Sequence, residues 1–309
     1  MLGMINDPRA AMEIGTLFGG AANELRDRCS ESHAAEEHGE RGTREDSLTD
    51  ELVHVMRGAI SRRLEELGGR LRQTGVDATI EFGPTNLPVT EETRYGADIG
   101  IRTIIRSRDI VVVKGLLVQC KRMYRRKRPA YPELSGRGEQ QAKDMLRITP
   151  ASFFMLFNSG SQEDLLDMTS IPIGTLCPMD EGQIPPEKRR SIGRSCPYWG
   201  RSAGGLWDLG VAVLPAARVL ALSAGSASKG RSFPTTADRV LPGCLPLGVF
   251  MVDLFASCFV GDVREEVVRL VTPPALRDEQ LPVTGLLRPD FAGFAVRHYL
   301  KVEITAREG

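Results

Sequence analysis

The chain has no cysteine pair at CxxC spacing, no long apolar run and no net charge, and each absence removes a class of protein. Its six cysteines, Cys29, Cys120, Cys177, Cys196, Cys244 and Cys258, are scattered. A structural zinc site draws thiolates from closely spaced pairs, so a zinc ribbon is not expected. No stretch is apolar enough, for long enough, to span a bilayer; the nearest, Pro246 to Val260, is short and interrupted by Asp253. The opening residues lack a basic n-region, and Asp7 and Glu13 break their apolar part. No signal peptide is therefore expected; a cytoplasmic location with reduced thiols is the default. The glycines around Gly225 to Gly230 do not match a P-loop, which argues against an NTPase. His33, His38, His54 and His298 show no metal-ligand spacing, and there is no internal repeat. Forty basic residues balance forty acidic ones, so total charge indicates no partner.

What remains is a 309-residue chain, 41% hydrophobic and 26% charged, of ordinary globular composition. Its charge is unevenly placed. Through position 50 there are eleven acidic residues and five basic ones, a net of −6. Met12 to Phe18 fits a short helix, and Arg28 to Asp46, nearly free of large apolar residues, reads as a mobile linker. Residues 1–46 are therefore expected to be an acidic, flexible segment. A helix is expected from Ser47, which with Asp50 resembles a capping box. Leu52, Val55, Met56, Ala59, Ile60, Leu64 and Leu67 recur at helical spacing up to Gly68 and Gly69. Strands follow at Ala78 to Phe82 and Ala97 to Ile105. Ile110 to Cys120, with its Lys-Gly interruption, reads as a buried strand or a bulged pair. Gly138 to Ile148 reads as a helix and Ser152 to Asn158 as a strand. Beyond residue 160 the pattern weakens. Pro and Gly are frequent from Ile171 to Gly205, apolar segments lie at Leu209 to Leu222 and Gly248 to Val260, a short helix fits Asp262 to Val271, and a last strand fits Tyr299 to Ala306. Residues 161–309 are expected to form a C-terminal elaboration packed on a core spanning 47–160.

The chemistry is concentrated in YGADIGIRTIIRSRDIVVVKGLLVQCKRM. Asp98 begins one strand; Gln119 and Lys121 end the next. An antiparallel hairpin brings those ends together, and the i, i+2 spacing puts Gln119 and Lys121 on one face with Cys120 on the other. An acid, an amide oxygen and an ammonium then converge at one edge of a sheet. That set suits phosphodiester hydrolysis: Mg²⁺ takes oxygen ligands and keeps several waters, and a lysine stabilises charge on the phosphoryl group. Singly, each residue has a structural alternative. Asp98 fits a turn cap, Gln119 an edge-strand polar group and Lys121 the start of a solvated basic run.

The segment from about Ser47 to Ser159, roughly a third of the chain, resembles the PD-(D/E)xK nuclease core in the variant where Gln replaces the second acid, as in Mrr-like restriction endonucleases and many prokaryotic defence nucleases. The resemblance implies an α/β fold, restriction-endonuclease-like, with a mixed central sheet flanked by helices. It implies that Asp98, in GADIG, is the metal-binding Asp, and that Gln119 and Lys121, in QCK, are the (D/E)xK pair. Glu51, in the helix DELVHVM, matches an acid that reaches the metal in this family; it also suits a helix N-terminus on charge grounds alone. Gln119 removes one negative charge from the site, which leaves Asp98 with Glu51 or Glu92 to balance Mg²⁺, for which Mn²⁺ can substitute.

Ten basic residues lie between Lys114 and Arg147 against Glu133, Glu139 and Asp144, a local net of +7. Such a run is the footprint of phosphate-backbone binding, although a solvated loop would look the same. Arg122, Arg125, Arg126, Lys127 and Arg128 are the candidate backbone contacts. Tyr124 and Tyr131 are candidates to stack on bases, and Gln140 and Gln141 to flank the site. The expected activity is Mg²⁺-dependent endonucleolytic cleavage of DNA in defence against foreign DNA, by a homodimer or with a partner protein of a defence system. The alternatives are a catalytically silent nucleic-acid-binding module of the same fold and an interaction subunit of a multi-protein defence complex.

Overall fold

The computed structural model describes residues 8–37, 45–73, 75–84, 96–106, 111–125, 128–161, 164–165, 168, 208–227, 235–256, 260–272 and 298–306. The Pro- and Gly-rich stretch Ile171 to Gly205 lies outside them, as does Glu92. A seven-stranded mixed sheet organises the fold, in the order β1-β9-β2-β3-β6-β7-β8. Its strands are β1 (Val76–Pro84), β2 (Ile99–Arg106), β3 (Val111–Arg122), β6 (Ser152–Phe157), β7 (Val211–Pro215), β8 (Leu245–Pro246) and β9 (His298–Ala306). A separate two-stranded ribbon pairs β4 (Tyr124–Arg125) with β5 (Pro129–Ala130). β2 and β3 form an antiparallel hairpin, and β3 runs parallel to β6 after the crossover helix α3 (Arg137–Ile148).

The central strands read as almost continuous apolar runs because helices cover both faces. On one face, Ile99, Ile101, Leu116, Val118 and Cys120 join a core with α1 (Pro8–Glu37), α2 (Glu45–Gln73) and α6 (Leu247–Ala256). On the other, Leu117, Phe154, Leu156, Ala212 and Leu214 pack beneath α3, α4 (Ala216–Ala227) and α5 (Ala237–Val240). The α/β class and the mixed sheet flanked by helices agree with the sequence reading. No helix among the described residues is long and apolar enough to cross a membrane.

Three expectations are corrected. First, residues 1–46 do not form a flexible segment over their described part, 8–37: α1 runs unbroken from Pro8 past Arg28 to Glu37, and Ile14, Leu17, Phe18, Ala21, Ala22, Leu25 and Cys29 are buried in the core. These positions recur at i, i+3, i+4 and i+7, a helical stripe that the acidic, glycine-rich composition obscures. The small residues let α1 approach the sheet: a Cβ at Gly210 would lie 2.0 Å from the Ala22 carbonyl oxygen. Arg26 then pins the contact by donating to Asp208 at 2.6 Å.

The second helix begins before Ser47, which therefore lies within it, and runs through Gly68 and Gly69 to Gln73. The two glycines cost the helix about 1 kcal/mol each relative to Ala, but buried Leu71 anchors the last turn beyond them. The chain reverses instead at Gly75 (φ 72°). Of the two readings of the Lys-Gly step, the continuous buried strand holds and the bulge does not, because Lys114 and Gly115 stay in register with Thr103 and Arg102. Lys114 is buried and its Nζ donates to the Leu254 carbonyl at 2.8 Å, satisfying an orphan acceptor in the last turn of α6. Gly115 exchanges both backbone hydrogen bonds with Asp262, just before α7 (Glu265–Leu270).

Third, the sheet does not stop at residue 160. β9 inserts between β1 and β2, antiparallel to the first and parallel to the second, and β7 and β8 extend the far edge. The C-terminal half therefore supplies strands to the central sheet as well as an outer layer.

Burial alone would raise the Asp262 carboxyl, but hydrogen bonds from Arg264 and Thr149 and the Arg264 charge hold it below the usual range. A lowered carboxyl stabilises the fold above the unfolded value of about 4. That contribution is lost as pH falls from there through the folded value. Urea unfolding should show Asp262→Asn less stable than wild type at pH 7, with the gap closing toward pH 3. Leu25→Ala should lower stability by about 2–5 kcal/mol, as for a buried leucine; a change near zero in urea unfolding would mean that α1 does not belong to the core.

Candidate active site

Ile99 pairs with Val118, which sets Asp98, one residue before β2, opposite Gln119. The hairpin is extended past its last regular pair. The Asp98 N–H donates to the Val118 carbonyl at 2.8 Å, and the Cys120 N–H donates to Asp98 Oδ2 at 2.7 Å. Gln119 Nε2 donates to the same Oδ2 at 2.5 Å and to the Cys120 carbonyl at 3.2 Å. Asp98 is 5% exposed, Gln119 3% and Lys121 1%, so all three polar side chains are nearly dry. Burial of this kind strengthens electrostatic interactions and makes their geometry consequential.

Two neighbours hold Asp98 from either side. The His298 N–H donates to its carbonyl at 2.9 Å, so the first residue of β9 ties the motif to the rest of the sheet. On the other side, Gly96 (φ 70°) lies under α3. A Cβ there would be 3.1 Å from Gln141 Cα and 3.2 Å from its carbonyl oxygen. The glycine of GAD thus permits both the left-handed turn into the strand and the approach of the crossover helix. Gln141 Oε1 is buried and has no hydrogen-bond partner among the described residues. Gln140 is exposed and donates to Asp144 of its own helix at 3.0 Å.

Lys121 extends from the strand end toward Glu133, with Nζ 3.7 Å from Oε2. The Tyr124 hydroxyl donates to Oε1 of the same carboxylate at 3.1 Å. Glu133 did not stand out in the sequence, where it is one acid within a basic run.

Other sequence candidates do not join this group. Glu51 faces Arg28 of α1, 3.5 Å away. Arg122, next to Lys121 in the strand, alternates to the α1 face and is 2% exposed. There it acts on Cys29, whose thiol burial pushes up to about 12 while Arg122 opposes the shift and Glu51 adds to it. The Arg122 guanidinium also lies 5.2 Å from the Tyr124 ring centroid. Neither Arg122 nor Lys114 is therefore presented to an incoming nucleic acid, which corrects the role expected for Arg122. Tyr131 is fully buried with its hydroxyl on Asn158, so base stacking by it is also corrected. Arg128 is exposed. The Arg125 backbone lies in β4, its side chain is not described, and Arg126 and Lys127 lie outside the described residues.

One pair was missed altogether: His298 Nε2 lies 2.9 Å from Asp50 Oδ1 on α2. No local spacing could reveal it, because the two residues are joined only through the sheet. Among the described residues, no three His, Cys, Asp or Glu side chains gather to hold a metal ion. Comparison with known protein families, with curated proteins and with solved structures found no match.

Gly96→Ala should strain the turn by about 1–2 kcal/mol and press on α3. A lowered melting temperature is expected, together with loss of whatever activity depends on Asp98. Unchanged melting would show that the turn does not need positive φ.

Proposed function

We propose that this chain is a metal-dependent endonuclease that hydrolyses DNA phosphodiester bonds, with a restriction-endonuclease-like core and a role in defence against foreign DNA. The observation that supports it is the convergence of Asp98 and Gln119 at 2.5 Å, with Lys121 two residues on along the same face of the same strand. The donor set fits a hard divalent cation in part. Asp98 offers an anionic oxygen and Gln119 a carboxamide oxygen, and Mg²⁺ accepts so few protein ligands because it retains waters and takes substrate phosphate. Glu51, paired with Arg28, is the weaker candidate ligand. When bound, Mg²⁺ or Mn²⁺ would polarise the phosphate and lower the pKa of a coordinated water.

The side chains supply the rest. Asp98 is held by the Cys120 N–H and Gln119, which fixes the carboxylate without a further conformational search. Lys121 places a positive charge where the phosphoryl oxygens gain negative charge. Exposed Arg128 and its basic neighbours in sequence attract the backbone, so affinity should fall steeply with salt. The defence role comes from the resemblance of the motif. A silent DNA-binding module is the second reading, favoured by the near-complete burial of Asp98 and Lys121 and by their existing protein partners.

Cleavage of plasmid and linear DNA with Mg²⁺ or Mn²⁺ separates the two. Wild type should cut, and Asp98→Ala and Lys121→Ala should each lose at least about 100-fold in rate while remaining folded. Equal cutting by the variants would misplace the site. Salt-sensitive binding without cleavage would favour the silent module.

A further inference from the structure

The motif carries one negative charge fewer than an acidic pair would, because position 119 is Gln. A carboxylate nevertheless stands beside the lysine, delivered by Glu133, twelve residues beyond it in the chain. Glu133 is the middle residue of the 3₁₀ turn Pro132–Leu134. Its side chain is 36% exposed, yet it points at an ammonium whose side chain is 1% exposed. A carboxylate at the surface normally faces water, where an ion pair has little value.

The turn is anchored on several sides. Leu134 is buried and its N–H donates to the Tyr131 carbonyl at 3.1 Å. The Ser135 hydroxyl donates to the Pro132 carbonyl at 2.8 Å. Tyr131 is fixed by its hydroxyl on Asn158 and by its N–H on the Thr235 carbonyl at 2.7 Å. Asn158 in turn donates to the Leu209 carbonyl at 2.6 Å. The first turn of α3 closes the remaining side: a Cβ at Gly138 would lie 2.5 Å from the Glu133 carbonyl oxygen. The turn that carries Glu133 is thus held at Tyr131 by Asn158, just after β6, and by Thr235, and at the Glu133 carbonyl by the close approach of α3. Its carboxylate is oriented by the Tyr124 hydroxyl.

We propose that Glu133 is a positioning residue for Lys121: with Tyr124 it holds the ammonium in place and returns to the site the negative charge absent at Gln119. This rests on the nuclease reading above. Lysine has a flexible four-carbon stem and binds as a point charge, so its direction must be imposed by a partner. Glu133 does this through Lys121 and has no contact with the reacting phosphate in its role.

The test is steady-state cleavage of linear DNA by the full chain. Glu133→Gln keeps the shape and the acceptor for Tyr124 but removes the charge. It should lower kcat about 10- to 100-fold with KM unchanged, as expected for a misdirected catalytic group. Glu133→Asp should recover part of the loss, and Tyr124→Phe should show a smaller fall in the same parameter. Melting temperature should be unchanged in Glu133→Gln, because the group is partly exposed. As a readout independent of turnover, mass spectrometry should show faster acylation of Lys121 by an N-hydroxysuccinimide ester in Glu133→Gln than in wild type. An unaltered kcat, a change confined to KM, or faster cleavage by Glu133→Gln would each overturn the proposal and leave the nuclease reading standing. A wild type that does not cut at all would remove the nuclease reading, and this proposal with it.

Discussion

The register of β2 against β3 governs the rest of the molecule. Because side chains alternate, a slip of one residue would send Gln119 and Lys121 to the α1 face and Cys120 to the face beneath α3. The hairpin resists that slip at two points. At one end Asp98 continues the ladder with its carboxylate, accepting the Cys120 N–H after the regular pairs have stopped. Midway along the hairpin, opposite Arg102, Gly115 is clasped by Asp262 through two backbone hydrogen bonds. Burial on both faces adds a penalty to any alternative, since Ile99, Val118 and Cys120 lie in one core and Leu117 in the other.

The same alternation sorts the positive charges by task. A local excess of basic residues around β3 looks uniform when counted along the chain. In three dimensions Lys114 caps a helix, Arg122 turns to the α1 face and Lys121 stays beside Gln119. Lys143 and Arg147 pair with acids of their own helix. Charge density in sequence therefore overstates the surface offered to a polyanion, and what distinguishes Lys121 is its partner rather than its neighbours.

Where a feature depends on local period, the sequence was legible. The hairpin, α3, β6 and the pairing of Asp98 with Gln119 all follow from runs of apolar residues at spacings of two or 3.6 and from i, i+2 geometry. What could not be seen was long-range or compositional. α1 hid its stripe among glycines and acids, because small residues that allow close packing look like linker. β9 resembled an isolated last strand, although its position between β1 and β2 decides what surrounds Asp98. Glu133 and the His298–Asp50 pair left no local trace, since turns and parallel strands join residues without regular spacing.

β9 also gives the molecule an order of assembly. Arg106 and His298 lie 192 positions apart, yet β2 has β9 as its partner on one side along its whole length. Closing so long a segment carries an entropic cost, and sheets built on such distant pairings form slowly. During synthesis, the β2–β3 hairpin can emerge and fold while Asp98 still lacks the His298 N–H on its carbonyl. β1 meanwhile has an open edge on both sides, and such an edge invites mispairing. The β1–β9–β2 side of the sheet is therefore among the last parts to mature, and a ribosome-bound or truncated chain lacking residues 298–306 would carry the motif in an unfinished setting.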